Sequence, residues 1–192
     1  MQVITKEEYA QKKDYFVRRI AQGALFIHPT DTVYRISCDA TNSAAVKKLR
    51  ALKKPVGPFA VIAPSKQWIR DTCHVPPDDE SLDLLPGKFT ILYSVRNQNA
   101  IAKEVHGGLP TLGVRIPSSW SQEIAMILNK PLVTTAANLP DQAFMTSLDN
   151  LAPEIAKAVD FCFYDGELKG SKITVIDKSM PIAKSSSKKS RV

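Results

Sequence analysis

Polar and charged side chains follow several apolar runs of the chain, at positions where strands are predicted to end. In chain order they are Thr30-Asp31-Thr32, Lys53-Lys54, Lys88 with Thr90, Thr111 with Arg115, and Thr134-Thr135 with Asn138. Ligands of open α/β sheets bind at the carboxyl ends of strands. Lysine and arginine among hydroxyl groups suit phosphate and carboxylate groups. The pattern therefore favours a site for a small anionic ligand.

Each of these features also has a purely structural interpretation. The segment from Pro29 to Thr32 is equally typical of an ordinary turn led by proline. Lys53 and Lys54 end a predicted helix, where lysine offsets the helix dipole. Arg115 is the sharper case, because it lies inside the apolar segment LGVRIP, where a charge needs a partner or a ligand.

Several common kinds of site are excluded by motifs that the chain lacks. It contains no GxxxxGK loop, no GxGxxG loop, no HExxH pair and no GxSxG elbow. The three cysteines, Cys38, Cys73 and Cys162, form no CxxC pair, so a disulfide framework or a zinc site is not expected and a reducing cytoplasm is. His28 follows an apolar run and is predicted to be packed or hydrogen-bonded rather than a metal ligand.

Length and charge fit one globular domain with a basic end. The chain has 192 residues and a net charge of +7, of which residues 178–192 carry +5, so the body carries only +2. We predict a domain at 1–177 and a flexible Ser- and Lys-rich tail at 178–192. No run of about 18 apolar residues is present, so no membrane span is expected, and the charged N-terminus does not resemble a signal peptide.

Hydrophobic periodicity predicts helices that alternate with strands, which indicates an α/β fold. A first helix is predicted over Lys6–Gln22, and Pro153 opens another that ends at Val159. Further helices are predicted from Ser43 to Leu52, from Pro64 to Ile69, and through Leu128. The predicted strands are Ala24–Ile27, Phe59–Ala63, Phe89–Val95, Thr111–Ile116, Leu132–Thr135, Phe161–Tyr164 and Ile173–Ile176.

Five motifs in this order and at these spacings resemble the YrdC-like family: PTDTVY, LPGKFT, LGVRIP, PLVTTAAN and ITVID. The resemblance covers about residues 10–178. It implies a single-domain twisted mixed sheet with flanking helices and a concave basic cleft. It also implies a threonylcarbamoyl-AMP synthase, which makes threonylcarbamoyl-adenylate from L-threonine, bicarbonate and ATP with Mg²⁺. A partner transferase would then carry the threonylcarbamoyl group to tRNA.

The resemblance further implies roles for individual residues. The implied threonine-binding residues are Thr30, Thr32, Tyr34, Arg115 and Thr135. The implied nucleotide-binding residues are Lys53, Lys54, Thr111, Asn138 and Thr174. No residue is expected to act as a catalytic group or a metal ligand, because the chemistry is one of positioning and Mg²⁺ is carried by ATP. Replacing Arg115 with alanine is predicted to abolish threonine binding and leave the fold largely intact.

Five positions depart from the family pattern at the expected site. Arg35 replaces a glycine, Lys54 an arginine, Ile62 a histidine, and Ala136 and Ile173 each a serine. Such changes, together with the LPDQAF segment at 139–144, also resemble the YciO-like branch. The alternative is therefore an altered paralogue that binds a nucleotide, double-stranded RNA or tRNA in the same cleft.

Overall fold

In the computed structural model, which describes residues 1–55 and 57–179, nine strands form one sheet. They are β1 (Gln2–Thr5), β2 (Phe26–His28), β3 (Arg35–Asp39), β4 (Ala60–Ile62), β5 (Phe89–Ser94), β6 (Thr111–Arg115), β7 (Leu132–Ala136), β8 (Phe161–Tyr164) and β9 (Thr174–Asp177). Their order across the sheet is β1-β8-β2-β3-β7-β4-β6-β5-β9. Four neighbouring pairs are parallel and four are antiparallel. The predicted mixed α/β sheet is thus confirmed.

Helices flank the sheet in the described part of the chain. They are α1 (Lys6–Gln11), α2 (Lys13–Ala21), α3 (Ser43–Lys53), α4 (Lys66–Thr72), α5 (Lys103–His106), α6 (Gln122–Leu128) and α7 (Pro153–Ala158). Short 3₁₀ turns lie at Glu80–Leu84, Gln98–Ala100 and Leu148–Asn150. None of the helices within residues 1–55 and 57–179 is long and apolar enough to cross a membrane.

Each face of the sheet packs against its own set of side chains. On one face, Ile36, Val61, Val114 and Val133 join a core that includes Leu49 of α3. On the opposite face, a second cluster packs under α1, α2 and α6 and contains, among others, Phe16, Ile20, Ile62, Ile124 and Leu132. Side chains alternate between the faces along a strand. The register of the strands therefore decides which polar residues can meet.

The N-terminal segment differs from its prediction. The single helix predicted over Lys6–Gln22 is wrong, because Lys12 has a φ of −127° and separates two helices. A capping box at Thr5 and Glu8 starts the first of them, and β1 precedes it where no strand was predicted. The tail predicted over 178–192 lies almost wholly outside the described residues, so the domain boundary at residue 177 stays a prediction.

Candidate functional site

Strand register brings two arginines to the same face of the sheet. Arg35 pairs with Ala136 across β3 and β7, and Arg115 pairs with Ile62 across β6 and β4. Ile62 in turn pairs with Leu132, which lies four residues before Ala136 on β7. Because alternation repeats every two residues, all of these side chains share one face. The departure at Arg35 therefore lies on the face that carries Arg115.

Arg115 and Asp31 form a buried ion pair. An Nη2 hydrogen of Arg115 is donated to Asp31 Oδ1 at 3.2 Å, and the two side chains are 0% and 6% exposed. The Nε of Arg115 reaches the carbonyl oxygen of Phe89 at 3.3 Å. The other carboxylate oxygen of Asp31 accepts the backbone N–H of Ser118 at 2.9 Å. The Nη1 of Arg115, which is also buried, has no hydrogen-bond partner among residues 1–55 and 57–179, so within this part of the chain the guanidinium retains one free donor group.

Arg35 is a second cation in nearly complete burial. The residue is only 9% exposed, and its Nε has no hydrogen-bond partner in the part of the chain that the structure describes. Burial, followed by the positive charge of Arg115, lowers the pKa of Arg35, and the carboxylate of Asp31 partly offsets this. One carboxylate thus stands beside two guanidinium groups, which leaves an excess of positive charge inside the protein.

A cavity of about 540 Å³ opens in front of Arg35. Its walls include Ala136, Phe144, Lys172 and Ile173. Pockets for small molecules have volumes of about 300–1,000 Å³, so the cavity has the size of a small-molecule site. The positive side chains at this cavity favour an anionic ligand.

Lys53 lies beside this cavity at the end of α3. Its Nζ donates to the carbonyl oxygen of Ala136 at 2.9 Å, to the carbonyl oxygen of Asn138, and to Asn138 Oδ1 at 2.8 Å. Burial, and then the charge of Arg35, lower the pKa of Lys53 from 10.5 to about 8. The ammonium group fixes the segment that follows β7, and an anion in the cavity would favour its charged form.

Comparison with known proteins identifies the family of the chain. A family profile for the Sua5, YciO and YrdC proteins, described as "Telomere recombination", matches residues 18–185. The chain belongs to this family. It is 30% identical over 175 residues to threonylcarbamoyl-AMP synthase of Homo sapiens, over 86% of this chain and 62% of that protein. A Methanocaldococcus jannaschii protein with the same activity in its name is 28% identical over 182 residues, which are 91% of this chain and 84% of its own length.

Solved structures of the Sua5, YciO and YrdC family share the fold. P. abyssi Sua5 complexed with L-threonine superposes with a TM-score of 0.78 at 24% identity, over 92% of this chain and 53% of that one. E. coli YciO also has a TM-score of 0.78, at 21% identity, over 93% of this chain and 90% of its own. The chain spans less than two thirds of the human relative and about half of P. abyssi Sua5. At these identities, the two structures show the fold alone.

Thr30 and Thr32 form the turn that holds Asp31. The hydroxyl of Thr30 donates to the carbonyl oxygen of Val33 at 2.7 Å and accepts the backbone N–H of Thr32 at 3.3 Å. The two threonine hydroxyls lie 3.0 Å apart, and both residues are buried. These contacts hold the segment in a turn that places the Asp31 carboxylate against Arg115, and the threonine-binding roles of Thr30 and Thr32 stay predictions.

Tyr34 lies in the core rather than at the cavity. It is fully buried, its hydroxyl donates to the carbonyl oxygen of Gly166 at 2.6 Å, and it accepts the backbone N–H of Asp165 at 3.0 Å. The hydroxyl therefore anchors the turn that leads to the cavity wall at 170–173, and the threonine contact of Tyr34 stays a prediction.

Thr135 and Thr174 lie on the face opposite to Arg35. Thr135 pairs with Ile36, which is in the first core, and Thr174 pairs with Phe89, which packs on that core. The side chain of Thr135 therefore lies on the other face of the sheet from that of Ala136, and the ligand contacts of Thr135 and Thr174 stay predictions.

The other predicted residues divide between the cavity face and solvent. Asn138 lies beside Lys53, and Thr111 shares the face of Arg115 at the far end of β6. Lys54 is exposed, in the left-handed conformation that ends α3, with a φ of 44°. The ammonium group of Lys53 thus faces the cavity region, whereas that of its neighbour is on the surface.

Three residues of the site were not among the predicted ligands: Asp31, Arg35 and His28. His28 Nδ1 lies 2.9 Å from Ser121 Oγ, and its Nε2 lies 2.8 Å from Ser37 Oγ, which confirms the prediction that it is hydrogen-bonded. Burial, and then the charge of Arg35, lower its pKa from 6.5 to about 3, so it is neutral. The rule that singled out Arg115, a charge inside an apolar segment, also applies to Arg35.

Proposed function

We propose that this protein is an L-threonylcarbamoyl-AMP synthase. The observation that carries the proposal is an excess of positive charge beside a cavity of about 540 Å³. Arg35 and Arg115 share the Asp31 carboxylate on one face of the sheet, and Lys53 donates to the carbonyl oxygen of Ala136 at the cavity wall. A triphosphate and an amino-acid carboxylate are the anions that such a site would neutralise. The synthases among its relatives and the threonine bound to P. abyssi Sua5 support the same substrates.

The proposed reaction requires positioning and charge neutralisation rather than a covalent step on the protein. The amine of threonine adds to bicarbonate with loss of water and gives a carbamate. A carbamate oxygen then bonds to the α-phosphorus of ATP, and the bond to pyrophosphate breaks. The free Nη1 of Arg115 is suited to the threonine carboxylate, and Lys53 is suited to the phosphates. Mg²⁺ enters this scheme with ATP, whose phosphate oxygens are the ligands that it prefers.

The product would serve a transferase that acts on tRNA, which places the protein in the cytoplasm under this proposal. A threonylcarbamoyl-adenylate is a mixed anhydride, and an amino group of a nucleoside is the acceptor that it would acylate. The threonylcarbamoyl transferase and its tRNA are therefore the proposed partners.

A second function is favoured by the departures at the site. Ala136 offers no hydroxyl, Thr135 faces away from the cavity, and Lys53 already donates to three acceptors. An altered YciO-like paralogue that binds a nucleotide or RNA without making the adenylate would show the same features.

One assay separates the two functions. The protein is incubated with ATP, L-threonine, bicarbonate and Mg²⁺, and threonylcarbamoyl-AMP and pyrophosphate are measured, with threonine omitted in the control. Threonine-dependent formation of both products supports the synthase. ATP binding without either product, at any threonine concentration, would reject the synthase in favour of the paralogue.

A further inference from the structure

Arg35 is a buried cation whose position is not explained by the turn at 30–33, by packing in the core or by the ion pair between Arg115 and Asp31. A lysine or arginine is rarely buried in full unless it is paired, and breaking the pairing of a buried charge costs several kcal/mol. Arg35 is 9% exposed, and its Nε has no hydrogen-bond partner among the described residues. The nearby charge of Arg115 repels it more than the carboxylate of Asp31 attracts it. Burial and repulsion thus make Arg35 destabilising in the free protein. A bound anionic ligand would explain why an arginine lies at this position.

The position of Arg35 indicates which part of the ligand it meets. It is the register partner of Ala136, and directly opposed residues of an antiparallel pair have Cα atoms about 4.5–5.5 Å apart. Its charge also acts on Lys53, whose Nζ lies 2.9 Å from the carbonyl oxygen of that same alanine. Arg35 lines the cavity and Lys53 lies close behind it at Ala136, whereas Arg115 is held by Asp31.

We propose that Arg35 is a phosphate-binding residue that donates hydrogen bonds to the polyphosphate of ATP, at the position where Ala136 has no hydroxyl to offer. Guanidinium donates in a planar fork that matches phosphate oxygens, and the bonds are charge-assisted. The proposal rests on the proposed function for the identity of the nucleotide. Its phosphate chemistry is nevertheless measurable without turnover.

The test is equilibrium binding of two probes, inorganic pyrophosphate and ATP with Mg²⁺, each without threonine or bicarbonate. Arg35→Gln is compared with the unchanged protein and with Lys48→Gln, which removes an equal charge from an exposed position of α3. A hydrogen bond to a charged group contributes about 1.5–3 kcal/mol, so Arg35→Gln should weaken both probes about 10- to 150-fold. Lys48→Gln should weaken them less than about threefold, by long-range screened attraction alone.

Two further measurements separate binding from folding. Because Arg35 is unfavourable in the free protein, Arg35→Gln should unfold at an equal or higher temperature without ligand and should lose the stabilisation that pyrophosphate gives. Adding Ala136→Ser to Arg35→Gln should restore part of the ATP affinity, since the hydroxyl would lie at the register partner.

The outcomes distinguish this inference from the proposed function. Unchanged affinity for both probes in Arg35→Gln would overturn the inference, as would loss of threonine affinity with ATP affinity retained. Arg35-dependent binding of pyrophosphate in a protein that makes no threonylcarbamoyl-AMP would support the inference and reject the synthase.

Discussion

The Asp31–Arg115 pair allows a sharp prediction about stability. Asp31→Asn replaces the carboxylate by an amide of the same size. The amide oxygen can accept from the backbone N–H of Ser118 or from Arg115, but the amide NH₂ then faces the other donor. The substitution thus leaves two repelling arginines, Arg115 and Arg35, without the carboxylate whose charge stabilises both.

The size of this effect follows from burial. The two side chains are 0% and 6% exposed, and removing one partner of a buried ion pair costs about 3–5 kcal/mol. Since a domain is typically stable by about 5–15 kcal/mol, the loss would be a large fraction of the total. Urea unfolding followed by circular dichroism measures it, with Lys13→Gln as the control. That variant removes a surface pair with Glu123, whose side chains are 38% and 36% exposed, and should cost less than about 1 kcal/mol.

A double variant tests whether the pair itself is responsible. Asp31→Asn combined with Arg115→Met removes both charges, so the free energy of unfolding should recover part of the loss seen with Asp31→Asn alone. A loss of under about 1 kcal/mol for Asp31→Asn, equal to that of Lys13→Gln, would refute the reasoning. The same argument revises the prediction that Arg115→Ala leaves the fold largely intact, because that change removes the guanidinium that hydrogen-bonds the buried Asp31 carboxylate.

Three further predictions concern the surroundings of the cavity. Tyr34→Phe should lower the free energy of unfolding by about 1–3 kcal/mol, because the carbonyl oxygen of Gly166 and the N–H of Asp165 lose their partner; urea unfolding measures it, and an unchanged midpoint would contradict the anchoring role. Lys53 has a pKa of about 8 in the folded protein, so pyrophosphate affinity should fall as the pH rises from 7 to 9 and the ammonium group loses its proton. Titration calorimetry should show that the affinity of Lys53→Met depends less on pH. An identical pH dependence in Lys53→Met would exclude Lys53 as the titrating group. His28 has a pKa of about 3 in the folded protein against 6.5 in the unfolded chain. The unfolded state therefore binds one more proton, and the free energy of unfolding should fall as the pH drops from about 6.5 towards 3. Unfolding curves of His28→Gln should show a smaller fall in that free energy over the same interval.

The sequence predicted the architecture well because most of its strands are short apolar runs bounded by turn residues. The order of the motifs placed the arginine of LGVRIP, the lysine that ends α3 and the asparagine after β7 in one region. The structure brings that lysine, Lys53, into contact with Asn138. The break at Lys12 was missed because both helices bury residues of one continuous pattern, Tyr9, Phe16 and Ile20.

The face on which each residue lies was harder to predict than the strand that carries it. A shift of one residue moves a side chain to the other face of a sheet. Motif position alone therefore could not separate Ala136 from Thr135, or Ile173 from Thr174. Strand pairing separates them, because Ile36 and Phe89 identify the core side.

The alternation of side chains between the faces of the sheet also bears on whether the protein is a synthase or an altered paralogue. A hydroxyl from Thr135 is unavailable at the cavity, and Lys53 fixes the carbonyl groups of the segment after β7. Arg35 is the cation that strand pairing puts directly beside the position that lacks a hydroxyl. A guanidinium is longer and bulkier than a serine side chain, so it either replaces the missing donor for a phosphate or occupies the volume that the substrate needs. Both alternatives make ATP affinity depend on Arg35, but with opposite signs: Arg35→Gln weakens ATP binding if the guanidinium is a donor and strengthens it if the guanidinium is an obstruction.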